Sequence, residues 1–143
     1  MIPQSIIEAI GEIGGEVDRP KSEMDDVSRN ISLLGLSDDE PLSQFFNQYN
    51  LCGLISTKNF ELLDLCFPDD EIYETTEWAK DVYELPDEFI CLSSGEGEGF
   101  VLLSKSDGKI YDVSVSQFDG LSQGKVESKW DSFFDLIDWY LSK

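Results

Sequence analysis

Residues 84–115 read ELPDEFICLSSGEGEGFVLLSKSDGKIYDVSV, three apolar runs of strand length set apart by turn residues. Leu85-Pro86 punctuates whatever precedes. Phe89-Ile90-Cys91-Leu92 is the first run, and Gly95-Glu96-Gly97-Glu98-Gly99 leads into the second, Phe100 to Leu103. Ser106-Asp107-Gly108-Lys109 separates it from the third, Ile110 to Val115. Asp-Gly between two such runs is the strongest short-range hairpin signal, because a type I′ turn needs φ > 0 at both central residues. A two-residue loop there pairs Ser106 with Lys109, Ser104 with Tyr111, Leu102 with Val113 and Phe100 with Val115. Phe100, Leu102, Tyr111, Val113 and Val115 then share one nearly apolar face, and Val101, Leu103, Lys105, Ile110, Asp112 and Ser114 share a mixed one. Helices are expected to cover the apolar face.

The segments on either side supply those helices. Pro3 to Ile13 carries Ile6, Ile7, Ile10 and Ile13 at helical steps behind Ile2, with Gly14-Gly15 as a stop. Residues 15–36 are polar and weakly patterned, with Val27, Ile31 and Leu34 at the spacing of a helical turn or two. Leu42, Phe45, Phe46 and Tyr49 fit one face of a helix, entered through Ser37-Asp38-Asp39-Glu40-Pro41 and ended near Asn50 and Gly53. Phe60 to Phe67, FELLDLCF, reads as a strand ended by Pro68-Asp69-Asp70-Glu71. Thr75 to Tyr83 is ambiguous between a short helix and a surface loop. Ser128 to Leu141 reads as the clearest helix, with capping-box spacing at Ser128-Lys129-Trp130-Asp131 and a stripe of Trp130, Phe133, Phe134, Ile137 and Leu141. That stripe is expected to lie on the apolar face of the sheet. The expected fold is therefore α+β: one domain over residues 1–143, a central antiparallel sheet with helices packed on one face, and a C-terminal amphipathic helix.

The 143 residues suffice for a core without staples, and 41% apolar and 12% aromatic content argue for a folded chain. Charge is the unusual property. Thirty acids against ten bases give −20, with no histidine. This balance disfavours nucleic acid and anionic membranes as partners, and favours rapid, salt-sensitive encounter with a basic protein. Cys52, Cys66 and Cys91 are odd in number and widely spaced, as buried thiols in a reducing compartment would be. Met1-Ile2-Pro3 enters an amphipathic segment without a basic leader, and no run reaches membrane-spanning length, so a cytoplasmic location is expected.

Catalytic constellations are scarce. Without histidine there is no Ser-His-Asp or Cys-His arrangement and no histidine metal site. The glycines at 95, 97 and 99 miss the dinucleotide fingerprint, since Phe100 stands where glycine is needed. Two glutamates there would also repel phosphate, so a strand-joining turn is the simpler reading. No calcium-loop pattern accompanies Asp69-Asp70-Glu71. No catalytic residue, metal or cofactor is expected. Carboxylate pairs for a small hydrolase stay open in so acidic a chain.

Acid is concentrated in one interval. Between Asp64 and Glu98 there are twelve acids and a single base, Lys80. Tyr73, Trp78 and Tyr83 are interleaved, residue types that anchor interfaces. The bland alternative is a solvated surface with the aromatics partly in the core. The candidate partner-binding set is Asp69, Asp70, Glu71, Tyr73 and Glu74, then Glu77, Trp78, Asp81 and Glu84, with Glu96 and Glu98 beyond.

Several of these motifs together resemble the SUKH superfamily. They are the N-terminal helix, Asn50-Leu51-Cys52-Gly53, a segment like FELLD, and Leu85-Pro86 before an apolar strand. The hairpin motif Asp107-Gly108-Lys109-Ile110-Tyr111 and a terminal helix bearing Trp130, Ser132, Phe133, Leu136 and Ile137 complete the set. The resemblance spans nearly the whole chain, strongest over residues 84–141 and weakest over 66–84. It implies a single α+β domain without catalytic residues, of the kind that includes bacterial toxin-immunity proteins and the fungal cell-wall-assembly regulator domain. The expected role is to bind and neutralise a basic, nuclease-type toxin, with a regulatory protein-binding scaffold as the alternative.

Overall fold

The computed structural model describes residues 1–13, 17–51, 61–66, 69–94 and 99–142. The Asp107-Gly108 signal does mark a hairpin. β1 (Phe89–Cys91), β2 (Gly99–Ser104) and β3 (Ile110–Ser114) form an antiparallel sheet in the order β1-β2-β3. Phe100 stands opposite Val113, Leu102 opposite Tyr111 and Leu103 opposite Ile110, two residues away from the expected register. The turn is longer than the Asp-Gly pair alone. The Ser104 amide donates to the Lys109 carbonyl at 3.0 Å, and the Gly108 amide to the Ser104 carbonyl at 2.9 Å. Asp107 explains this, because its carboxylate accepts from the Lys109 amide at 2.9 Å and its backbone stays at negative φ, leaving only Gly108 left-handed at φ 75°. A shift of two preserves the side-chain alternation, so each residue keeps its expected face.

Both faces of the sheet are buried. One carries Ile90, Leu92, Val101, Leu103 and Ile110, and gathers α1 (Gln4–Ile13), α2 (Met24–Leu33), α3 (Pro41–Gln48) and α6 (Phe133–Leu141) over them. The other carries Phe89, Cys91, Phe100, Leu102 and Val113 under Leu85, Ala79 and the short α5 (Phe118–Ser122). The C-terminal helix thus covers the face that looked mixed. Its polar members keep contact with solvent, Asp112 exposed and Lys105 and Ser114 half-buried, while Ile90 of β1 and Leu92 just beyond it add buried apolar surface. Phe133 anchors the helix, its ring 5.7 Å from Phe45 and 5.8 Å from Phe46. Full burial of each such ring contributes about 1.5–3 kcal/mol.

Helix boundaries follow local chemistry. α1 and α3 lie where the apolar spacing puts them, with Pro3 just ahead of one and Pro41 opening the other. The weak 15–36 segment yields a 3-10 turn at Lys21–Glu23 running into α2, which buries Val27, Asn30 and Ile31. α6 begins at Phe133 and not at Ser128. Ser132 is its N-cap, accepting from the Asp135 amide at 3.2 Å. Residues 129 and 130 are needed elsewhere: the Ile110 amide donates to the Trp130 carbonyl at 2.8 Å, closing the outer edge of β3.

The FELLDLCF strand is corrected. Phe60 and Phe67 lie outside the described residues, and within 61–66 only an isolated bridge, Leu62 to Ser93, and a 2.8 Å bond from the Leu63 amide to the Leu92 carbonyl join the sheet. Asp64 ends the pairing because its side chain turns into the protein, as described below. Among the described residues no helix is long and apolar enough to cross a membrane.

Candidate functional site

The ambiguous segment is a helix, α4 (Glu71–Tyr83), and it carries Glu71, Glu74, Glu77 and Asp81 of the acidic interval. Its inner positions are Ile72, Thr76 and Ala79, all buried, with Tyr83 one turn further and half-buried. Two of the three are small, which lets the helix lie close beside β1. There the Thr76 hydroxyl donates to the Ile72 carbonyl at 2.7 Å and accepts from the Cys91 amide at 2.9 Å. The free edge of the sheet is thereby covered and its donor satisfied. Glu71 and Glu74 sit in the first turn, where negative charge suits the positive end of the helix dipole.

The opposite face is the outward one. Glu74, Glu77, Trp78, Asp81 and Val82 are exposed along it. Trp78 is 47% exposed and Val82, one turn on, 50%. The indole is nevertheless held: it stands edge-on to Tyr83 at 5.2 Å and lies 6.5 Å from Phe100. Lys80, the interval's base, lies 3.3 Å from Glu77 and 3.9 Å from Asp87. The helix ends at Glu84, the single non-glycine residue with positive φ among those described, at φ 59° and ψ 38°. The Glu84 and Leu85 amides both close onto the Ala79 carbonyl, and buried Leu85 then leads the chain under the sheet.

Not every expected contact residue is available. Asp70 is already engaged: its carboxylate accepts from Arg29 at 2.8 and 3.0 Å and from the Asn30 amide group at 2.9 Å. Tyr73 is half-buried against the main core, an inward role. Asp69 is exposed and Glu71 half-buried, and both line, with Asp70, Glu74, Thr75, Leu63 and Ser94, an open depression of about 550 Å³. Its lining is acidic where ligand pockets are mostly apolar, so it suits a cationic side chain better than a neutral small molecule. Glu84 is exposed at the far end of the helix. Glu96 and Glu98 lie outside the described residues. The face is thus centred on Glu74, Glu77, Trp78 and Asp81.

Asp64 belongs to none of this. Its side chain is 2% exposed and meets Arg19, itself wholly buried, through Nη1 at 2.9 Å and Nη2 at 3.1 Å. Arg19 also donates to the carbonyls of Phe46 and Tyr49 at 2.8 and 2.9 Å, satisfying acceptors at the end of α3. Asp64 in turn accepts from the amides of Leu51 and Cys66. Burial opposes the guanidinium's charge, but its bond to Asp64 and that carboxylate's charge hold it above its ordinary pKa. Glu23, Asp64 and Cys66 are close enough to hold a metal ion. Arg19 Nη1 takes the cation's place, 2.8 Å from Glu23 and 3.4 Å from the Cys66 sulfur. Burial pushes the thiols of Cys66 and Cys91 up to about 12, so both are protonated and poor nucleophiles or ligands at neutral pH. Cys52 lies outside the described residues.

No known family model matches the chain, and no curated protein matches it.

Proposed function

We propose that the chain is a non-enzymatic immunity protein of the SUKH type, acting in the cytoplasm, where it neutralises a basic, nuclease-type bacterial toxin by covering its substrate channel. The observation that carries the reading is the outward face of α4, where Glu74, Glu77 and Asp81 surround a fixed, half-exposed tryptophan. Lys80, beside them, is already shared between Glu77 and Asp87. A net charge of −20 supplies long-range steering toward a cationic surface, and the acidic face supplies the contact. The two buried thiols offer no nucleophile, in keeping with inhibition by occlusion.

The test uses the full chain as bait in lysate of the source cell, washed at low and then high salt, with bound proteins identified by mass spectrometry. A single stoichiometric basic partner, whose association rate falls with salt, is the expected result. Glu74→Gln with Glu77→Gln and Asp81→Asn should slow that association roughly tenfold while leaving the fold intact. Asp70 is left unchanged because it is tied to Arg29 and Asn30. Several weak partners would indicate a regulatory scaffold instead, and an unchanged rate in the triple variant would remove α4 from the interface.

A further inference from the structure

Steering toward a basic partner needs only charge, yet the outward face of α4 also carries an apolar element that charge does not explain. Trp78 and Val82 are two of the six large apolar side chains that stand exposed among the described residues, and they are one helical turn apart. Side chains at this spacing meet on a helix surface. Glu74 lies one turn before Trp78, Asp81 one residue before Val82, and Glu77 at the flank. Trp78 is held edge-on by Tyr83 at 5.2 Å, and Tyr83 in turn meets Phe100 at 6.2 Å and Phe118 at 6.1 Å. The indole is therefore positioned before any partner arrives, and its outer half loses little freedom on being covered. A purely electrostatic surface has no use for an exposed tryptophan. An interface hot spot does, being an aromatic anchor ringed by polar residues that exclude water.

We infer that Trp78 and Val82 form the apolar centre of the docking face, and that its occupant is a protein segment of matching chemistry, an apolar side chain or two flanked by lysine or arginine. This rests on the proposed basic partner and adds a demand on it: positive charge alone is not enough. The acids select the sign of the partner, and the indole selects the segment of it that seats.

The test titrates the full-length protein with two synthetic peptides of equal length and equal positive charge. One places leucines at helical spacing between lysines; the other replaces each leucine with serine. The readout is the Kd together with the indole Nε1–H resonance of Trp78, assigned with Trp78→Phe. The leucine peptide should bind at least tenfold more tightly and move the Trp78 indole signal. Val82→Gln, at an exposed position outside the core, and Trp78→Gln should each reduce that preference at least threefold. Glu74→Gln with Asp81→Asn should weaken both peptides alike. Equal affinity for both peptides, with the charge variant still weakened, would overturn the apolar centre and leave the acidic face standing. Binding of neither peptide would count against both proposals. A leucine-peptide preference that survives Val82→Gln, with shifts centred on Ile7, Ile13 or Leu33, would place the docking face elsewhere.

Discussion

Arg19 and Asp64 are 45 residues apart in sequence and share one buried, two-pronged ion pair. The pair joins the chain before α2 to the carbonyls ending α3 and to the amides of Leu51 and Cys66. Removing Asp64 leaves Arg19 charged and buried with only the partly exposed Glu23 opposite it, so Asp64→Ala is expected to lower stability by about 3 kcal/mol. A double replacement, Arg19→Met with Asp64→Leu, should recover part of that loss because the one carboxylate it leaves without a cationic partner, Glu23, is partly exposed. Urea unfolding of the native chain and the two variants measures it, and a loss below about 1 kcal/mol in Asp64→Ala would show that the pair is not structural. The sequence offered one clue, a carboxylate inside the apolar run FELLDLCF. Such a group needs a buried partner, but nothing local says which base supplies it. The same long reach defeats a count of charge by interval. Lys80 is the base between Asp64 and Glu98 in sequence, whereas in space Arg19 and Arg29 neutralise Asp64 and Asp70 from outside it.

Among the elements, α4 and β1 depend on each other. The Cys91 amide points out of the sheet edge, and the Thr76 hydroxyl is its acceptor. Thr76→Val keeps the shape and removes the acceptor, so it should cost about 1–3 kcal/mol, the penalty of a buried donor left unpaired. Thr76→Ser should cost less. Hydrogen exchange at the Cys91 amide separates this from a general loosening: its protection should fall in Thr76→Val before that of the β2 and β3 amides. A uniform fall across the sheet would argue against a specific edge contact. The helix was hard to read because two of its inward positions, Thr76 and Ala79, are not strongly apolar, while Trp78 and Val82, which are, point outward. Elements with regular apolar spacing, α1, α3 and the hairpin strands, were legible. The hairpin register was not, because Asp107 builds a side-chain-closed turn whose length the Asp-Gly pair does not specify. The start of α6 was hidden likewise, since Trp130 fits the helical stripe but is taken by a bridge to Ile110.

At the scale of the whole molecule, the acidic face is an uneven distribution of a charge that also repels itself. Thirty acids, ten bases and no histidine mean that salt should raise stability, screening repulsion over a Debye length of about 8–10 Å at physiological ionic strength. The alkaline side tests the interior separately. Burial pushes the Cys91 thiol up to about 12, and the residue is fully enclosed. In the unfolded chain a thiol ionises at about 8.5. Between those two values the unfolded state has released a proton that the folded state retains. The stabilisation from the neutral thiol is therefore complete below about pH 8.5 and is lost as pH rises toward 12. The slope is about 1.4 kcal/mol per pH unit for each such thiol. Cys66, pushed up likewise by burial, contributes a second slope of the same sign. Urea unfolding under reducing conditions at pH 8.5, 9.5 and 10 should thus show falling stability, more shallowly in Cys91→Ala than in the native chain. The variant starts lower, since it leaves a small cavity, but acid repulsion acts equally on both proteins. The difference in slope therefore belongs to the thiol alone. Parallel slopes would mean that Cys91 already meets solvent on the timescale of its titration, and that the core between the sheet and α5 is looser than its packing implies.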